Sequence, residues 1–258
     1  MRIGVDTGGT FTDCVVRDGS RFKILKVFST PDDPAKAIVQ ASRHLGGQKP
    51  GDALTLIHGT TVGTNSVLER HGARVALLTT AGFEDLIEIG RQNRPELYNL
   101  DVRRDPPLVA RRLRWGVEER TAADGKIILR PTPAGIRRLR QQVKRSRAES
   151  VAVCFLFSFQ NPQNERAVAS ALGQLGLPVS VSHEILPEFR EYERLSTVVI
   201  NAYLAPRLGS YLARLEQDTK LRFIEGKRIE SGKRRNGGTR VYVMQSSGGI
   251  TTAARAAR

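Results

Sequence analysis

The sequence predicts an α/β fold: a mixed sheet that starts with three antiparallel strands, plus a second α/β subdomain. Three observations carry this. Apolar-rich runs within residues 2–28 break only at Gly8-Gly9 and Asp18-Gly19-Ser20. Turns that short join antiparallel neighbours. Further on, segments of helical spacing alternate with short apolar runs, the order of a partly parallel sheet. Val151 to Phe157 is apolar throughout, as a strand covered on both faces should be.

The elements follow in order. Residues 2–9 and 13–17 are expected as the first two strands and Phe22–Phe28 as the third. Asp33 caps a helix with Pro34 at its first position and Gly46-Gly47 at its end. Leu54–Ile57 is a short strand that ends in the loop His58-Gly59-Thr60-Thr61-Val62-Gly63-Thr64-Asn65. A helix through Val67 and Leu68 closes at Gly72. Val75–Thr79 is a strand and Gly82–Ile89 a short helix. Asp124-Gly125 marks a hairpin between Trp115–Glu119 and Lys126–Leu129. A helix from Thr132 or Pro133 turns Ile136, Leu139 and Val143 inward and its arginines outward. After Val151–Phe157 come a helix over Pro162–Leu175 and a strand at Val179–Val181. A helix over Arg190–Ala205 buries Tyr192, Leu195, Val198, Val199 and Ala202 at helical spacing. Pro206 restarts a helix with Leu208, Tyr211, Leu212 and Leu215 inward. Arg222–Gly238 is charged and glycine-rich and reads as an exposed loop. Val241–Met244 is the last strand, ending in Gln245-Ser246-Ser247-Gly248-Gly249. The expected domains are 1–182 and 183–258.

Composition narrows the function classes. The 258 residues are 40% hydrophobic, ordinary for a globular protein. No apolar run approaches the ~20 residues of a membrane span. A strand begins at once, so no signal peptide is expected. Cys14 and Cys154 lie in apolar runs and read as buried, reduced thiols of a cytoplasmic protein. The net charge of +15 raises a nucleic-acid reading. No nucleic-acid motif accompanies it, and aromatics do not interleave with the basic runs. Arginines on solvated helix faces account for the charge, so no nucleic-acid partner is expected.

The chemistry concentrates in Gly4-Val5-Asp6-Thr7-Gly8-Gly9-Thr10-Phe11-Thr12-Asp13. Glycines let a turn come close to a ligand, and successive N–H groups in such a turn form an anion site. The hydroxyls of Thr7, Thr10 and Thr12 can donate to phosphate oxygens. Asp6 and Asp13 would repel phosphate unless a cation sits between, which suggests Mg²⁺. A tight hairpin whose polar groups only satisfy the backbone is the plainer alternative. His58, with Thr60 and Thr61, stands where a strand meets a helix. It is either a hydrogen-bonded structural residue or part of a ligand-facing loop, since a helix N-terminus attracts anions. Arg91 and Arg94 are candidates for carboxylate or phosphate recognition; surface pairing with Glu88 and Glu96 is the competing reading.

Val5 to Asp13 resembles the first phosphate loop of the actin-like (ribonuclease H-like) ATPase superfamily. Several further runs resemble one branch, the hydantoinase A/5-oxoprolinase/acetone carboxylase family. They are His58–Val62, Leu68–Ala73, Thr79–Asp85, Glu88–Pro95, Leu97–Leu100, Ser182–Arg194 and Asn201–Pro206. The resemblance implies the N-terminal half of an actin-like ATPase and ATP-dependent opening of a cyclic amide such as 5-oxoproline or a hydantoin. Relatives carboxylate ketones. It implies ATP and Mg²⁺, with Asp6 and Asp13 as metal-organising catalytic residues. Thr7, Gly8, Gly9, Thr10, Thr12, Thr60 and Thr61 would bind the nucleotide, and His58, on the loop that borders the cleft, would be a catalytic residue. It also implies a second hydantoinase-type subunit or domain as partner. No second copy of Asp6–Thr10 occurs in this sequence. A non-catalytic or regulatory module, or a ketone carboxylase subunit, therefore stands as the alternative to an amide-hydrolase subunit.

Overall fold

Strict alternation along the first strand builds one unit of the protein. In the computed structural model, residues 2–8, 10–18, 20–29, 55–93, 98–99, 101, 105–224, 240–244 and 249–252 are described. Strand β1 (Arg2–Thr7) buries Ile3, Val5 and Thr7 and exposes Arg2 and Asp6, the two-residue period of a sheet with unlike faces. β1 pairs antiparallel with β2 (Phe11–Asp18), and β2 with β3 (Arg21–Phe28), as expected. β4 (Thr55–Thr60) lies parallel to β1 on its other side. β4 runs on to Thr60 rather than ending at Ile57, because its pairing with β1 continues through Asp6–Gly59 and Thr7–Thr60. His58 therefore lies inside a strand. The sheet is completed by β11 (Arg240–Met244), parallel to β4, and by β12 (Ile250–Thr252), antiparallel at the edge. The helix expected over 33–47, most of the basic 222–238 segment and Gln245–Gly248 lie outside the described residues.

The inner face of this sheet is closed by α6 (Glu191–Ile224), a single helix with Pro206 inside it. Two helices separated at Pro206 were expected. Proline removes one backbone donor, yet the helical path continues through it. Tyr211, Leu212 and Leu215 pack on Ile3, Val5, Cys14, Val16, Leu56, Val241 and Val243. Each such burial is worth roughly 1.5–3 kcal/mol. The chain divides into two units, Met1–Leu68 with Arg207–Arg258, and Glu69–Pro206, and Pro206 falls at that division.

The second unit is a parallel sheet in the order β10 (Val179–Val181), β9 (Ser150–Cys154), β5 (Val75–Thr80) and β6 (Arg114–Val117). β5 and β9 are buried at every position, as central parallel strands are. Helices α3 (Pro133–Ser146) and α4 (Gln163–Gly173) contribute Leu139, Val143, Val168 and Leu172 to the core with Ala76, Leu78, Val151 and Val153. Thr132 caps α3, its Oγ1 accepting from Gly135 N at 3.1 Å. The Asp124-Gly125 turn joins β7 (Arg120–Thr121) to β8 (Ile127–Leu129), with Gly125 at φ 84°. Trp115–Val117 was expected in that hairpin. It joins the main sheet instead, where parallel pairing with Leu78–Thr80 buries Val117.

Candidate functional site

The registers of β4, β1, β2 and β3 place Gly59, Asp6, Asp13 and Lys26 in one row across the outer face of the first sheet. Asp6 and Asp13 are direct cross-strand partners. Like charges so placed repel, and Lys26 Nζ offsets part of this at 3.3 Å from Asp13 Oδ1. Gly59 makes room for the other acid: a Cβ there would stand 3.1 Å from Asp6 Oδ1. The row thus holds an exposed carboxylate, a half-exposed one, and a position left free of side chain beside them.

The turn above the row is tight. Gly8 N donates to Phe11 O at 3.0 Å. Ser29 Oγ donates to Gly8 O at 2.8 Å and shares a hydrogen bond with Thr12 Oγ1 at 2.9 Å, so β3's end braces the turn. Thr10 is exposed. Gly9 lies outside the described residues. Thr7, Thr12 and Thr60 form a second row on the inner face. Thr7 Oγ1 is buried without a hydrogen-bond partner, which costs free energy in a fold with no ligand bound. Thr60 Oγ1 accepts from Val62 N at 3.2 Å and so caps α1 (Val62–Leu68). Thr61 is exposed, and its carbonyl accepts from Asn65 N within that helix's first turn.

His58 is fully buried on the inner face, opposite the acids. Its Nε2 shares a hydrogen bond with Tyr211 Oη at 2.5 Å. Burial pushes its pKa down to about 4, opposed by the neighbouring Val5 backbone. Nδ1 makes no well-formed hydrogen bond, so the ring is neutral at pH 7. The structure brings Asp6, Asp13 and the Gly8–Thr10 turn together and points the His58 ring the other way.

In the second unit, Arg91 forms a bidentate pair with Glu193, Nε–Oε1 2.8 Å and Nη2–Oε2 2.7 Å. Its partner is neither of the glutamates expected. Arg94 lies outside the described residues. A buried polar network not anticipated from the sequence gathers where β5, β9 and β10 end. Glu165 accepts from Phe155 N (3.0 Å), Ser182 Oγ (2.7 Å), His183 N (3.0 Å) and His183 Nδ1 (2.5 Å). Glu119 accepts from Thr80 Oγ1 and from Asn164 Nδ2 at 2.8 Å. Burial holds its carboxyl above the usual range. These groups spend their hydrogen bonds within the fold.

Among the described residues no cluster of three or more His, Cys, Asp or Glu could hold a metal alone. Two carboxylates suit Mg²⁺, which takes one or two from the protein and fills its sphere with water and phosphate oxygens. Asp6 and Asp13, paired across β1 and β2, are such carboxylates. Lys26, Ser29 and Gly59 were not singled out from sequence. Strand register is the signal that finds them, because it places them beside Asp13, Thr12 and Asp6.

Comparison with known proteins bears on the family and the fold. A family model for the hydantoinase/oxoprolinase N-terminal region matches residues 2–176, and one for hydantoinase/oxoprolinase matches residues 194–258. The caprolactamase alpha subunit of Pseudomonas jessenii is 34% identical over 83% of this chain and 33% of its own length. The 5-oxoprolinase of Saccharomyces cerevisiae is 29% identical over 90% of this chain and 22% of its own. The crystal structure of the ATP-dependent caprolactamase from Pseudomonas jessenii superposes with a TM-score of 0.79 at 30% identity, covering 98% of this chain and 36% of that one. A nucleotide-free acetone carboxylase structure reaches the same TM-score at 26% identity, covering 98% and 37%. The chain spans about a third or less of the length of these relatives.

Proposed function

This chain belongs to the hydantoinase/oxoprolinase family and has its actin-like α/β fold; on that premise we propose that it forms the phosphate-binding part of an ATP-dependent enzyme that opens a cyclic amide. The substrate class is a 5-oxoproline- or hydantoin-like ring. The single observation that supports this best is the row Gly59–Asp6–Asp13–Lys26 beneath the Gly8–Thr10 turn.

In this reading Asp6 and Asp13 hold Mg²⁺, which when bound neutralises phosphate charge. The Thr10 hydroxyl, exposed at the turn, would donate to phosphate oxygens. Thr7 and Thr12 line the inner side of the strand ends, where the Thr7 hydroxyl is buried without a hydrogen-bond partner. Catalysis of phosphoryl transfer is largely positioning and charge stabilisation, which a braced turn supplies. His58 acts by position: its bond to Tyr211 fixes β4, which carries Gly59 and Thr60 to Asp6 and Thr7. Transfer of phosphate to the amide oxygen would turn a poor electrophile into a reactive one. Arg91 and Arg94 are proposed for substrate recognition, with Arg91 released from Glu193 as substrate arrives. The partner is the rest of a hydantoinase-type assembly, as a subunit or domain. The two buried free thiols suit a cytoplasmic setting.

A second reading is a ketone carboxylase subunit, favoured by the equal TM-score of the acetone carboxylase structure. It keeps the same phosphate chemistry and changes the acceptor. A non-catalytic module is the third. Titration calorimetry of Mg²⁺-ATP on the chain separates the two phosphate-site readings from the non-catalytic one. Binding that Asp6→Asn abolishes is expected. A folded chain that binds no nucleotide, or binds it equally with Asp6→Asn, would sink the phosphate-site reading.

A further inference from the structure

Directly below the acid row, the outer sheet face carries an apolar row. Tyr242, Ile57, Gly4, Val15 and Ile24 fall in register across β11, β4, β1, β2 and β3. At the β2–β3 end this row reaches Ile24, with Phe22 one row below it and the Phe11–Phe28 pair one row above the Asp13–Lys26 ion pair. Ile24 is 74% exposed, Phe28 75% and Phe22 66%. Phe11 meets Phe28 at 5.1 Å between ring centroids, and both rings remain open to water.

An antiparallel face turned to solvent normally carries polar side chains. A contiguous apolar patch on such a face marks an interaction site. β3 is also an edge strand eight residues long, without proline or bulge to guard it. Among the described residues, the Arg207–Leu215 part of α6 packs on the opposite face. One row further down, Arg240, Arg2 and Arg17 share the outer face. An occupant suited to this surface has an apolar stripe with acidic residues on the flank that meets the arginines.

We propose that the outer face centred on Phe11, Ile24 and Phe28 docks an apolar, acid-flanked element from the part of a family-length protein that lies beyond the region matched by this chain. The relatives hold about two thirds or more of their length outside the match, so the material to cover the face exists in the family. A second copy of this chain suits the surface less well, because it would set Lys26 and the arginine row against their own kind. The docked element also borders the phosphate site. Asp13 stands between Phe11 and Val15 on β2, and Lys26 between Ile24 and Phe28 on β3. Seating an apolar element there excludes water from one side of the acid row and strengthens its interaction with a cation. The inference rests on the reading that this chain works as part of a longer ATP-dependent assembly.

The test is co-expression of the tagged chain with the part of the Pseudomonas jessenii caprolactamase alpha subunit beyond its match, so that neither piece has to fold alone. Co-purification in a 1:1 ratio is expected from the wild type, with amide exchange of residues 21–28 slowed at least tenfold relative to the chain by itself. Ile24→Lys and Phe28→Lys, both at exposed positions, should lose the complex while the chain keeps its circular dichroism spectrum. Ile24→Gln, a milder change, should weaken it. Asp6→Asn should leave docking intact and abolish Mg²⁺-ATP binding, which separates the two readings. No co-purification, co-purification untouched by both lysine variants, or self-association of the chain that Ile24→Lys abolishes would overturn the proposal. Nucleotide binding without docking removes this inference alone, and docking without nucleotide binding removes the phosphate-site reading alone.

Discussion

Tyr211 on α6 hydrogen-bonds His58 on β4 at 2.5 Å, joining positions 153 apart in the sequence. The bond crosses the inner core, and the strand it holds carries Gly59 to the acid row. His58 has its pKa pushed from 6.5 down to about 4 by burial. In the unfolded chain the ring takes up a proton near pH 6.5, whereas the native ring resists it to about pH 4. The unfolded state then binds more protons, so this contribution to stability is complete above pH 6.5 and is lost as pH falls toward 4. The full loss is on the order of 3 kcal/mol, about 2 kcal/mol of it by pH 5. Urea unfolding at pH 7.5 and pH 5 should show it, and His58→Gln should flatten the dependence. Tyr211→Phe should cost about 1–2 kcal/mol at pH 7.5 by leaving Nε2 unpaired in the core. A pH dependence unchanged by His58→Gln would assign the acid sensitivity elsewhere.

Asp6 and Asp13 face one another across β1 and β2, with Lys26 beside Asp13. A pair kept for folding alone would not be built of like charges. Asp6→Asn should therefore raise the stability of the ligand-free chain by roughly 0.2–1 kcal/mol, while removing the rise in melting temperature that Mg²⁺-ATP gives the wild type. Thermal denaturation with and without Mg²⁺-ATP reads both effects. Stability that falls in Asp6→Asn without ligand would mean the acid is structural.

Much of this was legible from the chain. Apolar-rich runs broken by short turns in residues 2–28 identified three strands, and Gly8-Gly9 between hydroxyls and acids marked the turn. Leu139 and Val143 followed from helical spacing, and α3 occurs where its proline and threonine cap placed it. Local pattern could not show that β4 runs through His58, because that depends on its pairing with β1, some fifty residues earlier in the chain. The same non-local pairing hid Gly59 and Lys26, which matter only for what stands opposite them. Pro206 misled for the reverse reason. A local helix-breaking rule was outweighed by flanking turns that bury Tyr203 on one side and Tyr211 on the other. The Glu165 and Glu119 networks join residues from five separated segments, and no single run of sequence announces them.

Cys14 and Cys154 are both buried, and burial pushes each thiol up to about 11. The thiolate is the reactive form. Neither should react with an aromatic disulfide reagent at pH 8 in the native chain, and both should react once it is unfolded in guanidinium. Fast native labelling of one thiol would show that its unit opens locally.

Two glycines separate folding from function. Gly72 has the Tyr203 ring where a Cβ would go, close enough to overlap it. Tyr203 is buried, and its carbonyl accepts from Ala73 N at 2.9 Å, so neither the ring nor the backbone can give way. Gly72→Ala should cost about 1–3 kcal/mol through overpacking. Gly59 has the Asp6 carboxylate closest to its Cβ position, at 3.1 Å to Oδ1, with the Val5 carbonyl at an ordinary contact of 3.8 Å. The Asp6 oxygen ends a short exposed side chain, which can turn aside. Gly59→Ala should leave the melting temperature within a few degrees of the wild type, since alanine also suits a strand better than glycine does. The turned carboxylate can no longer face Asp13 across the row, so Mg²⁺-ATP affinity should fall about tenfold or more, roughly 1.4 kcal/mol. Calorimetric titration beside thermal melts of both variants separates the cases. Equal affinity in Gly59→Ala and the wild type would mean that the position of the Asp6 carboxylate does not matter to nucleotide binding.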